Sequence, residues 1–383
     1  LGQFTPENAS SVGRTPVIPF ELPEGVISFL VVVRGKDGVM YEVKPITAPD
    51  GFVFNGGVGC ATMGLSGPNR TSPMESVGTA LVPNTDYPEV QTHITGGEYT
   101  IQVEAMVTSG MSTSPDTNPL EVDVFYRVAP QVSEAGSINL NLWFTGVDGL
   151  TAETAPDATM ISTAIEDMRT IYAQVGITID EVRYFDADAE FQVLSTIQGA
   201  GSDYSRMLLT TEGAPEGVNL FMVSSIESPM GGTILGMAGG IPGPAMWQGT
   251  LRSGIAVVQD PSEVGASAGM VWAHEVGHFL GLWHTTEMVV EWGVACAHDP
   301  ISDTPESDST YLMYYSGSGT ILTDAQGVIM RGNPMVNESA TGLKQKQTGP
   351  LPEAWFTPAQ STPLGQVLGD YDQVPSRGVL DAL

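Results

Sequence analysis

The first third of the chain carries short hydrophobic runs, each with the length of a strand. The runs are β-branched or alternate with polar residues, and clusters of Gly, Pro and Asn separate them. They lie at residues 26–33, 39–46, 97–107 and 120–128. Such strands and turns are typical of an all-β sandwich or jelly roll. We therefore expect this domain at residues 21–131, after an extended, proline-punctuated lead-in at residues 1–20.

From residue 136 the pattern alternates between strand and helix. Strand-like runs lie at residues 138–144, 177–184, 218–223 and 253–259, and a helical spacing of apolar residues from Met160 to Ile171 lies between the first two. This order predicts an α+β chain whose second domain, residues 136–348, has a twisted, mostly parallel sheet backed by helices. A short helix is expected at residues 321–331, capped by Thr323 or Asp324. Residues 349–383 lack periodicity, which predicts an extended tail.

Residues 274–284 read HEVGHFLGLWH and concentrate the candidate chemistry of the chain. On a helix, His274 and His278 share one face and can hold one metal ion between them. Glu275 leaves that helix about 100° from His274, close enough to reach a metal-bound water. Gly281 can end the helix by taking positive φ, which swings His284 back as a third ligand. Residues 260–263 are expected to open this helix.

Three neutral imidazoles and one water make the open tetrahedral site of a catalytic zinc ion. The alternative is a buried helix whose polar side chains are satisfied by hydrogen bonds alone. That helix would bury three histidines and a glutamate without a ligand, which costs free energy. Because the chain has five histidines and three of them lie in this window, we favour the zinc site.

The composition narrows the classes of partner. A chain of 383 residues exceeds one ordinary core, so two domains are expected. The net charge of −30, from 44 acidic and 14 basic residues, disfavours nucleic acid and anionic lipid as partners. No apolar run approaches the length of a membrane span. These patterns leave the oligomeric state open.

The window at residues 274–284 resembles the HExxHxxGxxH zinc signature of the metzincin metallopeptidases. Downstream, Met313 resembles the methionine of that family's methionine turn, and Tyr315 the tyrosine that often follows two residues later. The resemblance implies that Glu275 takes a proton from the attacking water, that Tyr315 ligates the zinc or donates to the oxyanion, and that Met313 packs under the imidazoles. It also implies a protein or peptide substrate and a secreted or cell-surface location.

A second run is similar to the C…D.I.DTP pattern of the pappalysin branch of that family. It consists of Cys296, Asp299, Ile301 and residues 303–305, and the further cysteines usual in the branch are absent here. The resemblance spans roughly residues 136–335. Asp299, Asp303 and Thr304 also form a candidate calcium site, because calcium prefers oxygen ligands. An acidic solvated loop is the alternative interpretation.

The glycine-rich run Gly236, Met237, Ala238 and Gly239 is interpreted as an edge strand above the cleft. An extended peptide adds itself to such an edge by main-chain hydrogen bonds, and the resemblance implies that substrate binds in this way. A plain glycine loop is the alternative.

The chain has two cysteines, Cys60 and Cys296, one in each half. In an oxidising compartment they can pair as a disulfide that ties the domains together. Two unpaired thiols are the competing interpretation. A third is that Cys60 silences the zinc, although its surroundings do not match the family's switch motif.

The sequence therefore predicts a zinc-dependent endopeptidase whose metzincin-like catalytic domain follows an all-β domain. Two other functions stay open: a catalytically silent surface-binding protein on a metzincin scaffold, and a zinc hydrolase of a non-peptide bond. For the N-terminal domain, structural support, attachment to substrate or surface, and a pro-domain are all open.

Overall fold

The computed structural model describes residues 1–55, 69–109, 112–228, 233–262, 266–286, 298–316, 319–338 and 344–346. In this part of the chain the molecule is a mixed α/β structure with sheets and few helices, as expected. The expected tail at residues 349–383 lies outside the described residues. Within the described residues, no helix is both long and apolar enough to cross a membrane.

The N-terminal unit consists of strands from residues 2 to 128. The strands are β1 Gly2–Phe4, β2 Glu7–Ala9, β3 Val12–Arg14, β4 Ile18–Leu22, β5 Val26–Arg34, β6 Met40–Thr47, β7 Met74–Glu75, β8 Val77–Val82, β9 Gly97–Ser109, β10 Ser112–Pro115 and β11 Leu120–Val128. One short helix, α1 Pro88–Gln91, is described among them.

Two antiparallel sheets are built from these strands. In the first sheet the order is β1-β11-β5-β8, and in the second it is β2-β3-β9-β6-β7 with β4 and β10 also paired to β9. Side chains from both sheets, such as Phe29 of β5 and Val43 of β6, share one buried hydrophobic cluster. Residues 1–20 differ from the expected lead-in, since β1 to β4 pair into these sheets. Strands β1 to β3 have three residues each, which is too short to produce a recognisable alternation, whereas β4 has five residues and its buried and exposed positions do alternate.

Strand β5 has both of its faces buried. Val31 and Val33 point into the cluster between the two N-terminal sheets, whereas Leu30 and Val32 join the core of the C-terminal half. This is why residues 26–33 read as a continuous apolar run rather than an alternating one. Strand β8 is buried in the same way, with Leu81 on one side and Val82 on the other. The first sheet therefore lies between the second sheet and the C-terminal half.

The C-terminal half contains the remaining elements. Its strands are β12 Gly136–Phe144, β13 Ile177–Asp186, β14 Val193–Leu194, β15 Val218–Val223, β16 Ser225–Glu227, β17 Thr233–Ile234, β18 Gly236–Ala238, β19 Ile255–Val258, β20 Asn337–Glu338 and β21 Lys344–Lys346. Its α-helices are α2 Thr159–Ala173, α3 Asp203–Leu209, α4 Ala268–Phe279 and α5 Asp324–Gly332. Short 3-10 helices lie at Val147–Gly149, Ala155–Asp157 and Ala189–Gln192.

The main sheet of this half has the order β13-β12-β15-β19-β18, with β20 also paired to β12. Strands β13, β12, β15 and β19 run parallel, and β18 runs antiparallel to β19. A smaller sheet has the order β14-β16-β17, and β21 pairs with β11 of the first sheet. Helices α2 and α4 share one core with the main sheet, including Ile165, Met168, Val276 and Leu220.

Helices α4 and α5 each begin after a residue whose side chain caps the helix N-terminus. Helix α4 begins at Ala268, where the Ser267 side chain accepts a hydrogen bond from the Met270 amide. The expectation that residues 260–263 open this helix was therefore wrong; Asp260 instead accepts from the Ser262 amide in a local turn. Helix α5 is capped by Thr323, which forms a reciprocal capping box with Gln326.

Candidate metal centre

The three histidines of the motif converge on one point. The Nε2 atoms of His278 and His274 are 3.0 Å apart, those of His278 and His284 are 3.1 Å apart, and those of His274 and His284 are 3.3 Å apart. All three side chains are buried. Tetrahedral zinc with Zn–N bonds near 2.0–2.1 Å needs nitrogens about 3.3 Å apart. The donor set therefore fits zinc without rearrangement of the backbone.

Backbone carbonyls orient two of these rings. Nδ1 of His274 lies 2.6 Å from the carbonyl oxygen of Leu312, and Nδ1 of His278 lies 2.7 Å from that of Leu282. A carbonyl oxygen can only accept, so each Nδ1 carries the proton and donates it. In the neutral ring Nε2 then presents its lone pair to the common point, which is the tautomer that a metal ligand requires.

Helix α4 ends where the chain must turn back toward the metal point. The amides of Leu280 and Gly281 donate to the carbonyls of Val276 and His278, at 2.9 Å and 2.8 Å. Gly281 then takes a φ of +113°, a conformation that strains any residue with a side chain. The turn after it brings His284 beside the two helical histidines.

Glu275 is buried beside strand β18. A β-carbon at Gly236 would lie 2.4 Å from Cγ of Glu275 and 2.6 Å from its Oε1, so the strand passes directly against the carboxyl group. Burial, and then the charge of Glu275, raise the pKa of the Tyr172 phenol well above its usual value. Tyr172 donates to the Ala273 carbonyl at 2.8 Å. It therefore stays protonated and braces the helix next to the glutamate.

Met313 packs against helix α4 at Gly277. A β-carbon at Gly277 would lie 2.7 Å from Sδ of Met313, so the thioether fits there because Gly277 has no side chain. The Thr285 amide, next to His284, donates to the Met313 carbonyl at 2.8 Å. Tyr315 is half-buried, with its ring 4.7 Å from that of Tyr314.

The predicted calcium ligands Asp299, Asp303 and Thr304 form hydrogen bonds with two separate sets of partners. Thr304 donates to Oδ1 of Asp299 at 2.5 Å, whereas Oδ2 of Asp303 accepts from the Ala325 amide at the start of α5. Burial raises the pKa of Asp299 to about 7, against the lowering effects of Thr304 and Arg70. Among the described residues, the cluster of metal-ligand side chains is His274, His278 and His284. Cys60 and Cys296 both lie outside the described part of the chain.

Several groups that position the site were not found from sequence. They include the Leu312 and Leu282 carbonyls, and the Gly243 amide and Asn333 side chain that contact the end of α4. Backbone groups leave no residue-type signal. Asn333 is 49 residues beyond His284 in the chain, and only the folded structure brings it to the helix.

The three buried histidines could therefore hold one metal ion, and the buried Glu275 directly follows His274 in the chain. Residues 255–346 match the family model described as Peptidase_M43: Pregnancy-associated plasma protein-A. The matched segment, less than half of the chain, contains all three histidines and Met313. The match confirms the resemblance to metzincin zinc metallopeptidases of the pappalysin branch, and it supports a metalloprotease.

Two solved structures have limited similarity to this chain. The crystal structure of metalloproteinase-II from Bacteroides fragilis is 15% identical, covers 53% of this chain and 54% of that chain, and has a TM-score of 0.32. A structure of a chaperone-substrate complex is 16% identical, covers 56% of this chain and 37% of that chain, and has a TM-score of 0.31. Each likeness thus spans about half or less of the other protein. A comparison with curated proteins gave no match.

Proposed function

We propose that the protein is a zinc-dependent endopeptidase that cleaves extended protein substrates. The observation that carries the proposal is the convergence of three histidine Nε2 atoms within 3.3 Å of one another, next to the buried carboxylate of Glu275. A structural helix has no use for three acceptor nitrogens at one point, whereas a metal ion binds them together.

His274, His278 and His284 would hold the zinc. When bound, zinc in such a site supplies Lewis acidity toward water and toward the scissile carbonyl. Glu275 accepts a proton from the attacking water and later donates it to the nitrogen of the leaving amine. Tyr315 supplies a hydrogen bond to the oxyanion or a further ligand, and Met313 supports the imidazoles from below.

Substrate binding is assigned to the edge of the main sheet at β18. The Val258 amide donates to Leu235, and the Gly239 amide donates to Gly254, so Leu235 and Gly239 face β19. By the alternation of an antiparallel pair, the main-chain groups of Gly236 and Ala238 turn to the other side. An extended peptide paired there lies beside Glu275, because Gly236 contacts that side chain.

The N-terminal unit, with strands β1 to β4 included, is assigned to a β-sandwich accessory domain that ends near residue 131 and is joined to a catalytic domain at residues 136–348. The cluster shared by its two sheets supports this assignment. Secretion, a Cys60–Cys296 disulfide and a calcium site at Asp299, Asp303 and Thr304 stay predictions. Mass analysis of the non-reduced protein and a calcium titration of its thermal stability test the last two.

The decisive experiment compares the wild type with Glu275→Gln on a mixed peptide library, with cut sites mapped by mass spectrometry. We expect wild-type cleavage that a chelator abolishes and zinc restores. The variant should bind one zinc per chain and show at least about a thousandfold lower turnover. Glu212→Gln, on the loop after α3, is the matched control. Retained turnover by Glu275→Gln would exclude the proposed role, and zinc binding without any cleavage would favour a silent scaffold.

A further inference from the structure

The last carbonyls of helix α4 have a complete set of donors, and two of these donors are distant in sequence. Within the turn, Leu280, Leu282 and Gly281 donate to Val276, Gly277 and His278. The Phe279 carbonyl accepts from the Gly243 amide at 3.0 Å, and the Leu280 carbonyl accepts from Asn333 Nδ2 at 3.1 Å. These two hydrogen bonds satisfy carbonyl groups that have no donor within the helix, because they lie at its C-terminal end. They also fix where the turn toward His284 begins.

Asn333 is itself held by the N-terminal unit. Its backbone carbonyl accepts from Arg127 of β11 at 3.1 Å, and Arg127 also donates to the carbonyls of Arg331 and Val336. Arg127 is buried, so these bonds are shielded from water. Ser28 of β5 adds a bond to the Gly332 carbonyl at 2.6 Å. The end of α5 is therefore fastened to the first sheet.

The loop that carries Gly243 is fastened to the same sheet. Thr79 of β8 donates to the Pro242 carbonyl at 2.5 Å, and both groups are buried. Pro242 directly precedes Gly243, whose amide donates to the zinc helix. A second connection thus runs from β8 through this loop to the Phe279 carbonyl.

A third contact reaches the turn directly. A β-carbon at Gly281 would lie 2.6 Å from Cδ2 of Leu81, which is fully buried on the face of β8 turned to the C-terminal half. The backbone of the glycine therefore rests on the leucine side chain. Leu81 packs at the residue where the chain leaves the helix, three positions before His284.

We infer that the first sheet of the N-terminal unit positions the third histidine of the metal centre. Thr79, Leu81 and Arg127 act as positioning residues through Gly243, Gly281 and Asn333. The unit is then an integral part of the site rather than a removable pro-domain or an independent attachment module. The inference deepens the proposed function and rests on it, because it concerns how well the same three histidines hold zinc.

The test compares two adjacent side chains on opposite faces of β8 in the full-length chain. Leu81 packs against the metal-site turn, and Val82 packs between the two N-terminal sheets; both are fully buried. Zinc affinity is measured by competition with a chromogenic chelator, and ligand geometry by the visible absorption of the cobalt-substituted protein. Leu81→Ala should weaken zinc binding at least about tenfold, as other losses of groups behind a metal ligand do, and alter the cobalt spectrum. Val82→Ala should leave the affinity within about twofold, although it also lowers the melting temperature.

A gentler pair of variants covers the case in which Leu81→Ala does not fold. Thr79→Val keeps the shape of the side chain and removes the donor to Pro242, whereas Thr79→Ser keeps the hydroxyl. We expect weaker zinc binding in the first and recovery in the second.

The possible outcomes distinguish a failure of this inference from a failure of the proposed zinc peptidase function. A wild-type protein that binds no zinc would overturn both. A wild type that binds zinc and cleaves peptides, together with unchanged affinity in Leu81→Ala and Thr79→Val, would overturn the positioning role alone. Equal weakening by Leu81→Ala and Val82→Ala would also overturn it, since the effect would then reflect general instability.

Discussion

Both halves of the molecule bury polar side chains, but the two sets are satisfied in different ways. In the N-terminal unit, Asn55 accepts from the Ile46 amide at 2.7 Å and donates to the Val43 carbonyl at 2.6 Å. Asn84 likewise exchanges bonds with the backbone of Arg70. Each contact pairs a donor with an acceptor. In the metal centre, the Nε2 atoms of His274 and His278 approach within 3.0 Å although their Nδ1 atoms carry the protons.

This difference separates structural from functional polar burial. A cluster of matched donors and acceptors replaces the hydrogen bonds that water provided, and it stabilises a local backbone arrangement. A cluster that directs lone pairs of the same kind at one point repels itself until a cation enters. The N-terminal set therefore predicts effects on stability, and the histidine set predicts effects on metal binding and activity.

Removal of a histidine from the metal centre should have the largest effect. His278→Ala leaves two imidazoles, too few for an open catalytic zinc site, so we expect loss of bound zinc and at least a thousandfold lower kcat/KM. Metal analysis and peptide cleavage are the measurements. His93→Ala is the control, since His93 stacks on Phe52 at the surface of the N-terminal unit. Similar activity loss in both variants would contradict the assignment.

Asn55→Ala should have the opposite profile. It leaves a buried amide and a buried carbonyl of β6 unmatched, which costs on the order of 3 kcal/mol of unfolding free energy. Zinc affinity per folded molecule should be unchanged. Urea unfolding, with Asn8→Ala on the exposed strand β2 as control, measures the difference. A stability loss equal to that of the control would show that the Asn55 bonds contribute little.

Gly236→Ala tests the contact between the edge strand and the glutamate. The added methyl group would lie 2.4 Å from Cγ of Glu275 and displace its carboxyl group, while the histidines remain in place. We expect kcat to fall about a hundredfold, or about 2.7 kcal/mol in activation free energy, with zinc content retained. Gly201→Ala is the matched control, because no atom lies within 4 Å of its added β-carbon. An unchanged kcat would exclude a role of this contact in catalysis.

Only part of the site could be predicted from the sequence. His274, His278 and His284 lie on one helix and the turn after it, so their spacing and the glycine at 281 were sufficient to predict that the three rings converge. Strand β8 gave no alternating pattern, since both of its faces are buried, and it was missed together with Leu81. The Asn333 and Thr79 contacts depend on how the two halves pack. A periodic pattern reports which residues are buried and leaves open which distant segment covers them.

Glu42 provides the subtlest test of the comparison, because it is a buried carboxylate of the N-terminal unit that is only partly satisfied. It accepts from Thr71 at 3.2 Å, and Lys44 lies 3.8 Å away. Burial raises its pKa to about 7, opposed by Lys44 and reinforced by Glu104 on the neighbouring strand β9. Between about pH 4.5 and pH 7, the Glu42 carboxyl group is therefore protonated in the folded state and ionised in the unfolded state.

The stability contributed by the protonated Glu42 is fully present below about pH 4.5 and is lost as the pH rises from there to about 7. From pH 5 to pH 7 the wild type should lose roughly 2 kcal/mol of unfolding free energy relative to Glu42→Gln, which cannot ionise. Urea unfolding at each pH measures this gap, and the difference between the two proteins removes the titration of all other groups. Zinc affinity should be identical in both, because Glu42 lies on strand β6 of the second sheet, and the first sheet separates that sheet from the metal centre. Parallel stability curves would mean that the carboxylate is ionised in the folded state and that Thr71 and Lys44 satisfy it fully.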